Sequence, residues 1–290
     1  SVQASPAQAA IQTSEPLTVG FDTLMANIKT KQSAASERWP APKASDDPPK
    51  ILFFGDPHGD FEPVLSAVER MRPAAIILLG DLQAQRPLHM ELAPIRNKTE
   101  IWFIHGNHDT DSDEDFDNLF HSELGECNLD GLVQVIAGFR VAGLGGVFRD
   151  KVWNPAVPLE QAAFGSAQKM AAYSRKGRSG AEVDLRLTWR GGILRKHHSS
   201  IFPDVYQKLG GLRADILVTH EAPSAHVHGF MAIDELAISL GAWLVVHGHH
   251  HESIDYIEAG LITGDSPFLV HGVGKGGFLA WPPGASRAST

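Results

Sequence analysis

Ile51-Leu52-Phe53-Phe54-Gly55-Asp56-Pro57-His58-Gly59 joins a four-residue apolar run, too short for a helix, to a carboxylate and an imidazole at its end. The same arrangement recurs four times. Ile76 to Leu79 precedes Gly80-Asp81, Ile101 to Ile104 precedes Gly106-Asn107-His108-Asp109, Ile216 to Val218 precedes Thr219-His220, and Leu244 to Val246 precedes Gly248-His249-His250-His251. Runs this short and this rich in β-branched and aromatic residues read as buried strands. Each delivers its polar cluster at its carboxyl end, the edge of an open α/β sheet where ligand crevices form.

Helical patterns separate some of these strands. Asp60 is the expected N-cap of a helix in which Pro63 is followed by Val64, Leu65, Val68 and Met71 at three-to-four spacing. Ile233, Leu236, Ala237 and Leu240 describe a second amphipathic helix, and Gly241 is a residue suited to stop it. Strand-helix-strand units of this kind predict an α/β fold with a parallel portion in its sheet.

The clusters together offer Asp56, His58, Asp81, Asn107, His220, His249 and His251 as candidate metal ligands. Carboxylate, imidazole and amide oxygen without thiolate suits Mn, Fe, Co, Ni or Zn better than calcium. Seven ligands are also too many for one ion. If one carboxylate bridges, two ions roughly 3.5 to 4 Å apart clamp an oxygen between them.

In order, residue type and flanking glycines, these motifs resemble the calcineurin-like metallophosphoesterase family from about Lys50 to Val273, with each of the family's metal-binding motifs filled. The resemblance implies a four-layer α/β/β/α sandwich of two mixed β-sheets with helices on the outer faces. It further implies two divalent metal ions, manganese foremost, with Asp56, His58 and His251 on the first, Asn107, His220 and His249 on the second, and Asp81 bridging. The expected reaction is hydrolysis of an anionic phosphate ester by a hydroxide that bridges the two ions. His108, next to Asn107, is the expected catalytic residue: it would stabilise the phosphoryl oxygens and protonate the leaving alkoxide.

Other histidines read differently. His105 and His247 end their strands and are expected to hydrogen-bond to backbone, while His250, between two ligands, should point away from the metals. His226 and His228 follow His220 on a loop placed near the mouth, and His226 is a candidate substrate contact. The acidic run Asp109 to Asp115 has Glu114 where a calcium loop needs glycine and Phe120 where it needs glutamate, so it reads as a solvated acidic loop. Asp109 is expected to orient His108 or cap a helix.

Residues 150–205 form a basic insertion. Lys151 to Ser200 carries nine Lys/Arg against three Asp/Glu in a chain of net charge -9. Arg195 and Lys196, with Arg175, Lys176, Arg178, Arg190, His197 and His198, are candidates for a cationic lip that recruits an anionic substrate. The competing reading is a solvated helical insertion whose basic residues pair with acidic neighbours. Trp153 and Trp189 read as packing anchors, and no dedicated nucleic-acid-binding motif accompanies them.

Gly55-Asp56-Pro57-His58-Gly59 also resembles the opening motif of Ser/Thr protein phosphatases. Ala84 and Gln85 stand where those enzymes carry an acidic residue and an arginine, however, and Asp109 replaces their glutamate. A small-molecule or nucleotide phosphomonoester or phosphodiester is therefore the favoured substrate, ahead of a phosphoprotein or of a non-catalytic metal-containing binding module.

Composition bounds the rest. With 290 residues and 43% hydrophobic content, the chain can bury one substantial core without a second full domain. The expected organisation is an N-terminal arm or linker over 1–48 with a short docking helix near 20–31, a domain over 49–281, and a disordered tail over 282–290. The single cysteine, Cys127, excludes an internal disulfide and fits a reducing compartment, so a cytoplasmic setting is expected, with any leader already removed from a chain that begins at Ser1. No run approaches a membrane span. Oligomeric state is not encoded in any recognisable pattern.

Overall fold

The computed structural model describes residues 50–176, 188–190 and 192–282. The expected arm over 1–48, the docking helix at 20–31, residues 283–290 of the expected tail, Arg178, and the side chains of Arg175 and Lys176 lie outside the described residues.

All five anticipated strands form, and they divide between two sheets. The first sheet contains β1 (Ile51–Phe54), β2 (Ala75–Leu79), β3 (Glu100–Ile104) and β10 (Phe278–Trp281) in the order β10-β1-β2-β3. The three strands β1 to β3 are parallel, whereas β10 runs antiparallel to β1 with Ile51 opposite Trp281. The second sheet contains β4 (Val133–Ile136), β5 (Phe139–Leu144), β6 (Ile216–Thr219), β7 (Leu244–His247), β8 (Ile254–Asp255) and β9 (Leu269–Gly272) in the order β4-β5-β6-β7-β9-β8. Its central strands β5, β6, β7 and β9 are parallel and its two edges antiparallel, so both sheets are mixed.

Strand periodicity sorts the apolar side chains into three layers of core. On β1, Leu52 and Phe54 point to one face, where they meet Val64 and Val68 of helix α1 (Glu62–Met71) and Leu119 of helix α2 (Asp113–Phe120). Ile51 and Phe53 point to the other, where they meet Val218 and Val246 of the second sheet. The far face of the second sheet presents Leu217, Val245 and Val270 to Leu209 of helix α4 (Pro203–Gly210) and to Ile233, Leu236 and Leu240 of helix α5 (Met231–Leu240), in a cluster that also takes in Met170 of helix α3 (Ala167–Lys176). Strands covered on both faces carry continuous apolar runs instead of alternating ones. The result is the expected four-layer α/β/β/α sandwich.

Helix boundaries depart slightly from expectation. Asp60 does not occupy the N-cap of α1; Phe61 does, and Asp60 Oδ1 accepts from the Glu62 N–H at 3.1 Å, one residue early. Gly241 ends α5 at φ 71° as anticipated. Trp153 and Trp189 pack as anchors, the first against Phe148 and Tyr206, the second against Phe116 and His198. Among the described residues no helix is long and apolar enough to cross a membrane.

Outside the site, Asp215 ties β5 to the start of β6 by accepting from the Arg140 backbone N–H at 2.8 Å and from its Nη2 at 2.6 Å. Burial works against its charge, but the Arg140 donors outweigh it and hold the carboxyl below its ordinary 3.8. A carboxyl depressed in this way stabilises the fold fully above its ordinary value and loses that contribution as the pH falls through the folded one. Asp215→Ala should therefore cost about 1.5 to 3 kcal/mol at neutral pH. In chemical denaturation the gap from wild type should shrink as the pH drops below 3.8.

Candidate metal centre

The carboxyl ends of β1, β2 and β3 meet those of β6 and β7 across the seam between the sheets, and all seven expected ligands sit on the loops that leave these ends. Ligand atoms of His58, Asp81 and His251 lie within 4.8 Å of one another, as do those of Asp81, His220 and His249. Asp81 belongs to both groups. Asp56 is fully buried beside them, accepting from the His249 N–H at 3.0 and 3.1 Å, with His220 Nδ1 at 3.8 Å. Asn107 Oδ1 lies 3.2 Å from His220 Nε2.

Proton inventory is the test of whether a cation fits. His220 donates from Nδ1 to the Leu79 carbonyl at 2.7 Å, so in the neutral ring Nε2 carries a lone pair. That atom faces Asn107 Oδ1 and, at 3.4 Å, Asp81 Oδ2, which makes three acceptors with no proton among them. His58 likewise donates from Nδ1 to Gln83 Oε1 at 2.6 Å and turns its Nε2 toward His251 Nε2 at 2.9 Å. His249 Nδ1 is buried without a partner. Converging lone pairs repel unless a cation lies between them. Without one the site compensates with a proton: burial opposes the charge on His220, but Asp81 and Asp56 push its pKa up to about 10. Asp81 is in turn drawn below the usual carboxylate range, because His220 and the His108 N–H outweigh its burial. Imidazole, amide and carboxylate donors arranged this way fit a pair of borderline divalent ions.

Backbone strain marks the same residues. Nine described non-glycine residues have positive φ, and five of them are expected ligands: Asp56, His58, Asp81, His249 and His251. Left-handed conformations cost about 1 to 3 kcal/mol each and persist where neighbours over-determine them, typically at functional sites. Glycines permit the close approach. A Cβ on Gly80 would lie 2.5 Å from His220 Nδ1, and one on Gly106 would lie 2.2 Å from Asp81 Oδ1.

His108 sits half-exposed at the mouth, its ring 5.6 Å from that of His58. Its backbone N–H donates to Asp81 at 2.8 Å and its Nδ1 donates to Asp111 Oδ2 at 2.5 Å. Burial works against its charge, but Asp111 and Asp81 prevail and raise its pKa. Asp109 neither orients His108 nor caps a helix. It is buried and accepts from the N–H groups of Gly106 and Gln83 at 2.8 and 2.9 Å, its carboxyl pushed up to about 7 by burial and by Asp81. The expected solvation of the acidic run holds for Asp111 and Glu114, which are exposed, but not for Asp109, and from Asp113 on the run is helix instead of loop. Asp111 pairs with His108, Ser112 and Asp115 form a capping box on α2, and Asp113 is an ion-pair partner of Arg195.

Arg195 is partly exposed but committed to the chain's own groups. Its Nε donates to Thr110 O at 3.1 Å and its Nη2 to Asp111 O at 2.6 Å, so the guanidinium grips the segment that carries His108. Arg190 similarly holds Asp117, and Trp189 Nε1 donates to Asp113 at 3.1 Å. Lys196 is exposed. His226 is buried and stacks on His250 with ring centroids 3.9 Å apart, while His228 lies beside them. His247 donates to Gly248 O and pairs with Tyr256 Oη, and His105 contacts the Asn128 side chain, so neither joins the ligand groups.

Sequence reasoning missed Gln83, which orients His58 from two residues beyond Asp81, and Asp111, at helical spacing from His108. It also missed Glu221, buried next to His220, whose Oε1 accepts from the Phe148 N–H at 3.0 Å and whose Oε2 lies 4.0 Å from His249 Nε2. The adjacency of Gln83 and Glu221 to ligands was the available signal.

The chain belongs to the calcineurin-like phosphoesterase family, whose model matches residues 49–253. A protein of Haemophilus influenzae described as uncharacterized is 40% identical over 206 residues, covering 71% of this chain and 85% of that protein. Among solved structures, the chain is similar to a hypothetical protein from Thermus thermophilus (17% identity, 78% of this chain and 76% of that one, TM-score 0.38). It is also similar to a Plasmodium protein described as GAP50, the anchor in the inner membrane complex (10% identity, 78% and 71% covered, TM-score 0.37).

Gly106→Ala should displace Asp81 and His220, since neither backbone nor ring can yield the room that a Cβ requires. The variant is expected to remain folded by circular dichroism and to retain fewer than the wild-type number of metal ions by elemental analysis.

Proposed function

We propose that the domain over residues 49–281 is a dinuclear-metal-dependent phosphoesterase that hydrolyses a small-molecule or nucleotide phosphomonoester or phosphodiester. The sharing of Asp81 between the His58/His251 and His220/His249 groups carries the reading, because it gives the donor set two adjacent ion positions. Asp56, His58 and His251 would hold one ion, Asn107, His220 and His249 the other, and Asp81 both, with manganese the favoured metal. Two such ions supply charge neutralisation for an anionic ester and a water-derived nucleophile at neutral pH.

The chain's own residues supply the remainder. Gln83 and the Leu79 carbonyl fix the tautomers of His58 and His220, keeping Nε2 of each available as a donor to metal. Asp111 holds a proton on His108 Nδ1 and favours the imidazolium, whose other N–H can stabilise phosphoryl oxygens and then protonate the departing alkoxide. Arg195 would act through the loop it grips, Lys196, exposed next to it, would meet the anionic substrate, and His226, buried against His250, would reach it only through that neighbour.

Metal-stripped protein should regain hydrolysis of 4-nitrophenyl phosphate or bis(4-nitrophenyl) phosphate on addition of Mn, and the ratio between the two substrates separates monoesterase from diesterase. Failure on both, with two ions bound, would sink the reading for generic esters. His108→Ala should retain both ions and lose about 10²- to 10⁴-fold in turnover. Asp81→Asn should lower occupancy of both ions. A fully active His108→Ala enzyme would remove His108 from the mechanism.

A further inference from the structure

Arg149 lies on the loop that leaves β5, with its backbone firmly placed: its carbonyl accepts from the N–H groups of Val152 and Trp153 at 2.7 and 2.8 Å. Its side chain is half-buried and poorly satisfied. Nη2 makes one long hydrogen bond, 3.3 Å to Ser199 Oγ, and Nε is buried with no partner at all. Among the described residues it forms no ion pair. A buried donor left unmade costs about 1 to 3 kcal/mol, more on a charged group, so a guanidinium is kept in this state where something else supplies the acceptor.

Its surroundings show where that acceptor would lie. The guanidinium feels two carboxylates, Asp111 and Glu221. Asp111 is the partner of His108, and Glu221 approaches His249, so Arg149 stands between the catalytic histidine and the second ligand group. Ser199, which touches Arg149, also touches Thr110 Oγ1 at 2.7 Å, two residues along from His108. Two exposed cations, Lys151 and Lys196, share the neighbourhood: together with Arg149 they bear on buried His197, whose pKa burial and these charges push down to about 4. Neither lysine has an ion pair among the described residues. Three cations thus share this neighbourhood, and none of them is in a direct ion pair among the described residues.

We infer that Arg149, assisted by Lys151 and Lys196, forms a phosphate-binding subsite on the His108 side of the metal centre. Planar guanidinium donors match phosphate oxygens two at a time, and Nη1, which is not among the buried atoms and makes no hydrogen bond to the described residues, leaves the Nη1–Nη2 edge available. The inference rests on the phosphoesterase reading for its substrate. The phosphate it takes is the scissile one, or a second phosphate on the same substrate.

The test is titration of the full chain with orthophosphate, followed by calorimetry or 31P NMR, on metal-stripped and Mn-loaded protein. It reads phosphate binding and not turnover, so failure of the subsite is distinguishable from failure of the phosphoesterase reading, which Mn-dependent ester hydrolysis decides. Arg149→Gln is expected to weaken phosphate binding about tenfold or more, at unchanged metal content and melting temperature. Loss confined to the Mn-loaded protein assigns the scissile phosphate, and loss in both forms assigns a second one. Arg149→Gln binding phosphate like the wild type in both forms overturns the inference. Should that variant fail to fold, the exposed pair Lys151→Gln and Lys196→Gln decides: weakened binding upholds the subsite, and wild-type binding overturns it.

Discussion

Asp81 and His220 face each other at 3.4 Å, both buried, across the seam between two sheets that share no hydrogen-bonded strand. Each comes from a different sheet. The contact therefore requires the sheets to stack with their carboxyl ends level, and the layer of Ile51, Phe53, Ile77, Val218 and Val246 between them holds that alignment. Slipping any one strand by a residue would turn its inward side chains outward and withdraw its ligand from the seam. The apolar sandwich and the polar centre are thus one constraint seen at two depths.

The centre concentrates what folding ordinarily avoids. Asp56, Asp81, Asp109 and Glu221 are all buried on the loops that leave the strand ends at the seam, and five would-be ligands hold left-handed backbone. Buried carboxylates are tolerable only when paired or neutralised. Some relief comes from within: Asp109 staples the Gly106 and Gln83 backbone, and its own proton affinity rises until it is close to neutral. The remainder falls to His220 or to cations that would replace its proton, and metal binding by these residues would then be coupled to folding.

Much of this was legible because parallel strands buried on both faces announce themselves as unbroken apolar runs, and because their polar residues stand directly after them. Asp56, Asp81 and His249 needed no long-range information. The antiparallel edges were harder: Val133–Ile136 and Phe278–Trp281 are short, carry no polar cluster at their ends, and leave Val135 and Phe278 exposed, so neither their burial nor their position shows as a clear period. The insertion was hardest. Its basic residues looked alike in sequence, yet Arg195 and Arg190 hold the acidic loop and helix that follow His108, whereas Arg149, outside the densest charge run, makes no direct ion pair among the described residues. Which cation meets which carboxylate is decided by tertiary packing, and local pattern cannot sort them.

Strand β10 carries a consequence in time. It pairs with β1 along its whole length, from Ile51 opposite Trp281 to Phe54 opposite Phe278, although the two lie more than two hundred positions apart and the entire second sheet is encoded between them. Gly55, one step before Asp56, is likewise tied to Gly276 and Gly277 by backbone hydrogen bonds. During synthesis β1 emerges early and must wait, with one edge unpaired, until nearly the last described residues leave the ribosome. The segment bearing Asp56 and His58 is consequently secured only after Phe278–Trp281 has been made, later than every strand of the second sheet.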